Sequence, residues 1–197
     1  ATIQEVPATS QLYTFNLSTS INPCPGITTV TYIGQTYNTI QIGTQCWFKE
    51  NLNVGTKIPD SIEQKNNGVI EKYCYDNDPN QCNIFGGLYK WNEMMHYTTT
   101  QGAKGVCPSG WHIPTNDEWT VLTTYLGGES LAGGKMKSIG TLEAGTGLWY
   151  TPNTGATNES GFTALPCGSS IVPGYQQRFG QANFWSSTQQ GAANGRG

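Results

Sequence analysis

Six cysteines spread over 197 residues constrain this chain more than any other feature. An even count, in a sequence poor in charge and rich in Thr, Asn and Gly, belongs to an oxidised, extracellular setting in which covalent cross-links supplement the core. Many pairings of Cys24, Cys46, Cys74, Cys82, Cys107 and Cys167 are open in principle. Cys74 with Cys82 is the readiest, because Asp76-Asn77-Asp78-Pro79-Asn80 between them is a turn sequence that brings its ends together. Cys24 with Cys46, and Cys107 with Cys167, follow by elimination. The competing use of cysteine, structural zinc, needs closely spaced ligand pairs that this chain lacks.

Only 12% of residues are charged, against 25 glycines and 10 prolines, which describes a loop-rich, strand-rich protein with short helices. The net charge of -3 and the lack of any basic run leave no source for phosphate attraction, so nucleic acid is excluded as a partner. No apolar stretch approaches the roughly 20 residues that span a bilayer. Ala1-Thr2-Ile3-Gln4 has neither a basic start nor an apolar run, so the chain reads as cytosolic or as a processed mature protein. The cysteines favour the second, placing it outside the cell or on its surface.

Residues 1–23 form a polar N-terminal strand or linker, in which Tyr13, Phe15 and Leu17 alternate with Thr14, Asn16 and Ser18. Residues 24–197 form one domain. Its first part predicts two strands, residues 30–33 and 36–42, joined at a short turn with Gly34 at the first central position. Cys46-Trp47-Phe48 begins a third apolar run. Leu88, Trp91 and Met95 mark one face of a helix. After Gly127-Gly128 a glycine-rich region runs to about residue 161, and residues 162–166 and 183–188 read as the last strands.

The stretch Cys107-Pro108-Ser109-Gly110-Trp111-His112-Ile113-Pro114 leads into a helix start. Thr115 and Glu118 have the spacing of a capping box, in which each side chain bonds the other's backbone N–H. Asp117 and Glu118 also face the positive end of the helix dipole. Trp119, Leu122 and Leu126 then line one apolar face. The acidic pair is thereby explained without catalysis, since adjacent helical residues point in different directions.

Taken together, Cys46-Trp47 with Glu50-Asn51-Leu52, Gly86-Gly87-Leu88-Tyr89-Lys90-Trp91, the Cys107–Pro114 stretch, Glu118-Trp119, Phe162-Thr163-Ala164-Leu165-Pro166 and Phe184-Trp185-Ser186-Ser187-Thr188 resemble the Fibrobacter succinogenes major paralogous domain. The likeness covers about residues 30–190. It implies an α+β fold of C-type-lectin-like form, with small twisted antiparallel sheets, two short helices and long loops, in secreted or cell-surface proteins. It also implies a further strand some tens of residues beyond Trp-Ser-Ser, so either that strand is supplied from elsewhere, across an unpaired sheet edge, or the sequence is a fragment or processed product. Asp60-Ser61-Ile62 resembles the short O-glycosylation motif of secreted Bacteroidetes proteins and marks Ser61 as an acceptor.

The search for chemistry points away from an enzyme. His96 and His112 lack any motif nucleophile nearby. Gly128-Glu129-Ser130-Leu131-Ala132 lacks the second glycine of a nucleophile elbow. No cofactor is implied, apart from Ca²⁺ at Asp76, Asp78 and Asn80, whose oxygens alternate along the chain. A ligand-binding candidate is Trp149-Tyr150, an aromatic pair in a glycine-rich loop suited to stacking on a sugar. The expected function is a structural or adhesion module, a self-assembling subunit using strand addition, whose partners are other subunits or copies of itself. The alternative is a carbohydrate-binding module that recognises surface glycans.

Overall fold

The computed structural model describes residue 24 and residues 26–170, 174–190 and 194–195. The N-terminal strand or linker read at residues 1–23 lies outside the described residues. The architecture is α+β. Among the described residues there is one three-stranded sheet, three two-stranded sheets and four short α-helices.

The main sheet grows from the alternating segment. Strands β1 (Thr29–Tyr32), β2 (Gln35–Ile42) and β3 (Gln45–Phe48) pair antiparallel in chain order. Tyr32 faces Gln35, so the first loop is Ile33-Gly34, one residue earlier than the pattern suggested. Both loop residues have positive φ, 47° and 74°, as in the type I′ class that matches strand twist. The second loop is Gly43-Thr44, with Ile42 facing Gln45. A disulfide joins Cys24 to Cys46 and ties β3 to the chain preceding β1.

Strands β4 (Thr56–Lys57) and β5 (Glu71–Lys72) pair in parallel, so not every small sheet is antiparallel as expected. A second disulfide, Cys74–Cys82, brackets a 3-10 turn (Tyr75–Asn77) and the start of α1 (Pro79–Phe85). Helix α2 spans only Trp91–Met94, because Leu88 pairs with Tyr73 in a β-bridge and takes no part in a helical face.

Helix α3 (Asn116–Tyr125) starts at the capping box. The Thr115 hydroxyl accepts from the Glu118 N–H at 3.1 Å, and the Glu118 carboxylate accepts from the Thr115 N–H at 2.8 Å. Helix α4 (Glu129–Met136) falls where only loop was expected. It forms despite Gly133 and Gly134 because Ala132 and Met136 are buried against Leu122 and Leu126. A side chain at Gly134 would also collide with the Gly155 carbonyl, at 2.3 Å. The segments 162–166 and 183–188 contribute one β-bridge, Lys137 with Ala164, and no strand. The last pairs are β6 (Ser169–Ser170) with β7 (Tyr175–Gln176), and β8 (Gln189–Gln190) with β9 (Asn194–Gly195), both antiparallel.

Two apolar clusters make the core. The first gathers Tyr37, Val54, Trp91, Met94, Met95, Val106, Cys107 and Ile113. The second gathers Ile42, Leu122, Leu126, Ala132, Met136, Phe162 and Ala164. Adjacent residues of β3 serve both, since successive strand side chains point to opposite faces. Phe48 packs on the first cluster and Trp47 on the second. The neighbours Trp185 and Phe184 divide in the same way.

The segment carrying Trp185 is locked to both helical walls by side chains that satisfy buried backbone groups. Trp91 donates its indole N–H to the Ser186 carbonyl at 2.8 Å, and Trp119 donates to the Trp185 carbonyl at 3.2 Å. Ser187, fully buried, accepts from the Gly102 N–H and donates to the Pro114 carbonyl.

One disulfide assignment is corrected. Cys107 and Cys167 are not bridged; each is a buried free thiol. Elimination assumed that an even count leaves no thiol over. A bridge needs Cα atoms within about 7 Å and facing Cβ vectors. Each cysteine is instead fixed by bonds within its own segment, Cys107 N–H to the Lys104 carbonyl and Cys167 N–H to the Leu165 carbonyl.

Candidate functional site: a cleft along the edge of β3

β3 is the last strand of its sheet, and among the described residues no strand pairs with its outer edge. A cleft of about 1250 Å³ runs along it. Every residue from 44 to 52 lines this cleft, facing residues 162–165 and 167–170, with Trp111, Phe184 and Trp185 adding aromatic surface. It exceeds the roughly 300–1,000 Å³ of small-molecule pockets and is long enough for a segment of polypeptide.

The aromatic lining is rigid. Trp111 stacks on Phe48 with ring centroids 3.9 Å apart, and Trp119 lies 4.8 Å from Trp47 and 5.5 Å from Phe184. Four indoles have acceptors: Trp91, Trp119, Trp149 and Trp185. The Trp47 indole N–H is buried with no hydrogen-bond partner among the described residues, and so is the side-chain oxygen of Gln45 two residues before it. The Gln45 amide N–H is engaged with the Glu118 carbonyl at 3.0 Å. A buried polar atom left unpaired costs about 1–3 kcal/mol, so these two atoms mark the least well satisfied part of the interior beneath β3.

At one side of the cleft His112 pairs with Glu118 at 2.8 Å. Burial pushes the Glu118 carboxyl up, but the Thr115 N–H and His112 outweigh it and hold it below its ordinary range. Both free thiols also line the cleft. Burial pushes the Cys107 thiol up to about 12 and raises that of Cys167, so both stay protonated near neutrality.

The residues singled out from sequence fall elsewhere. Trp149 is buried, 6% exposed, with its indole on the Ser138 hydroxyl at 3.0 Å and the Lys137 ammonium over its ring. That corrects the Trp149-Tyr150 platform: only Tyr150 is exposed, and its ring packs edge-on against Phe179. Asp76 pairs with Arg178 at 3.3 Å, and Asp78 caps α1 by accepting from the Asn80 N–H at 2.9 Å. Ser61 lies exposed in a surface turn. The edge atoms Gln45 and Trp47 escaped the sequence reading because a Cys-Trp-Phe run in a strand reads simply as core.

The family model of the Fibrobacter succinogenes major domain matches residues 40–197. No curated protein and no solved structure matches the chain.

Proposed function

The chain belongs to the Fibrobacter succinogenes major domain family, and we propose that it works as an extracellular or cell-surface structural and adhesion module that assembles by strand addition at the edge of β3. The observation that carries this is the cleft: an apolar, aromatic groove along an open strand edge. An added strand supplies main-chain hydrogen bonds to the edge and side chains to the groove.

The donor is the N-terminal segment of a second copy. Tyr13, Phe15 and Leu17 alternate with polar residues, so one face of an extended Tyr13-Thr14-Phe15-Asn16-Leu17 is apolar and matches the aromatic lining. Two disulfides suit an oxidising compartment, and the exposed turn at Ser61 leaves its hydroxyl open to glycosylation there. With Trp149 buried, the Trp149-Tyr150 pair keeps one exposed ring, that of Tyr150, and it lies outside the β3 cleft.

Sedimentation of the full chain against a chain lacking residues 1–20 tests this. Concentration-dependent multimers of the full chain, absent after the deletion, are expected. Monomers in both refute the proposal.

A further inference from the structure

Away from the cleft, Arg178 sits at the centre of a second constellation. Its guanidinium lies 4.7 Å from the Tyr75 ring centroid and 4.5 Å from that of Phe179. One of its N–H groups reaches Asp76 at 3.3 Å and Gln81 at 3.0 Å. Tyr175 packs on Tyr75 at 4.9 Å, and Tyr150 meets Phe179 edge-on at 5.4 Å. Three separate segments of the chain thus place four rings, a guanidinium and a carboxylate in one row of contacts.

The row is held firmly. The Cys74–Cys82 disulfide brackets Tyr75 and Asp76. Asn77 receives the Tyr175 hydroxyl at 3.1 Å and donates to the Asp60 carboxylate at 2.7 Å. The Tyr150 N–H donates to the Phe179 carbonyl at 2.7 Å. Asp76, Asn77, Gln177 and Phe179 all adopt positive φ, between 54° and 67°. Such backbone is disfavoured for side-chain-bearing residues and tends to collect at ligand sites. The ends of the row stay open: Tyr150 is 49% exposed, and the Asp76 side chain is 57% exposed.

The geometry points to a binding subsite for neutral oligosaccharides at Tyr150, Phe179, Arg178 and Asp76. An exposed ring stacks on the C–H face of a pyranose, and a carboxylate beside a planar guanidinium receives and donates to ring hydroxyls. Asp76 balances the charge of Arg178, which favours a neutral sugar over a sulfated or uronic one. The open ring and the open carboxylate are linked through Phe179 and Arg178, so a ligand that touches both runs along that series of contacts, which suits an oligosaccharide. This inference stands apart from strand addition, since it uses a different surface and no second copy.

The test is binding of the full chain to immobilised neutral oligosaccharides, with monosaccharides and sulfated or uronic oligosaccharides in parallel. Tyr150→Ala, Asp76→Asn and Tyr125→Ala are compared with the parent, each checked for an unchanged melting midpoint. Tyr125 is an exposed ring outside the row and serves as the control. Binding to neutral oligosaccharides, roughly tenfold weaker in Tyr150→Ala and Asp76→Asn and unchanged in Tyr125→Ala, supports the subsite. No binding to any glycan, binding confined to the acidic ones, or binding unaffected by both substitutions overturns it. If Tyr150→Ala lowers the midpoint, Asp76→Asn carries the test alone, and unchanged affinity in that variant overturns the subsite.

Discussion

The indole N–H of Trp185 donates to the carbonyl of Tyr89 at 2.8 Å, across 96 positions of sequence. With Trp91 and Trp119 donating back to residues 186 and 185, this closes the C-terminal part of the described chain onto α2 and α3. Trp185→Phe keeps most of the ring and removes that donor, so it should cost about 1–3 kcal/mol. Ser187→Ala strands the Gly102 N–H in the interior and should cost a similar amount, about 1–3 kcal/mol. Denaturant melts of the two variants check both values.

The cysteine state is directly measurable. Under non-reducing denaturation the chain should yield two reactive thiols, those of Cys107 and Cys167. In the native state, with Cys107 pushed up to about 12 and both thiols buried, neither should react with a thiol reagent over minutes. A denatured chain with no free thiol would reinstate the third bridge.

The Glu118 cap predicts an acid limit. Its carboxyl is held below its ordinary range in the folded protein. The stabilisation it provides is therefore complete above the unfolded value near pH 4.3 and is lost as pH falls through the lower folded value. The melting midpoint should drop through that window, and Glu118→Ala should flatten the drop. Thr115→Ala removes the other half of the box and should cost about 1 kcal/mol at neutral pH.

Calcium should leave the protein's stability unchanged. The Arg178 guanidinium beside Asp76 repels a cation, and Asp78 spends its two oxygens on the Asn80 N–H and the Gln81 side chain. Melting midpoints in EDTA and in excess Ca²⁺ should coincide.

What could be read from the sequence was local. The capping box at Thr115 and Glu118 is complete within four positions, and the β1–β2 hairpin announces itself by alternation. The hairpin turn slipped by one residue because Ile33 accepts a left-handed conformation that its side chain disfavours. Helix α4 was hidden because Gly133-Gly134 resembles loop, and burial of Ala132 and Met136 outweighs weak propensity. Trp149 looked exposed among glycines, yet its ring is roofed by Lys137. The Arg178 row was illegible because Gln81 and Arg178 meet across 97 positions, and no pattern in either segment names the other. The open edge of β3 was not foreseen, because Cys46-Trp47-Phe48 reads as core and nothing local marks it as the last strand of its sheet.

Backbone amide exchange over residues 44–52 addresses strand addition most directly. In the full chain at assembling concentration these amides should be protected. They should exchange faster when residues 1–20 are deleted, and slow again when a peptide of residues 11–19 is added. Equal exchange in all three samples would mean that nothing pairs with this edge, and the assembly reading would fall.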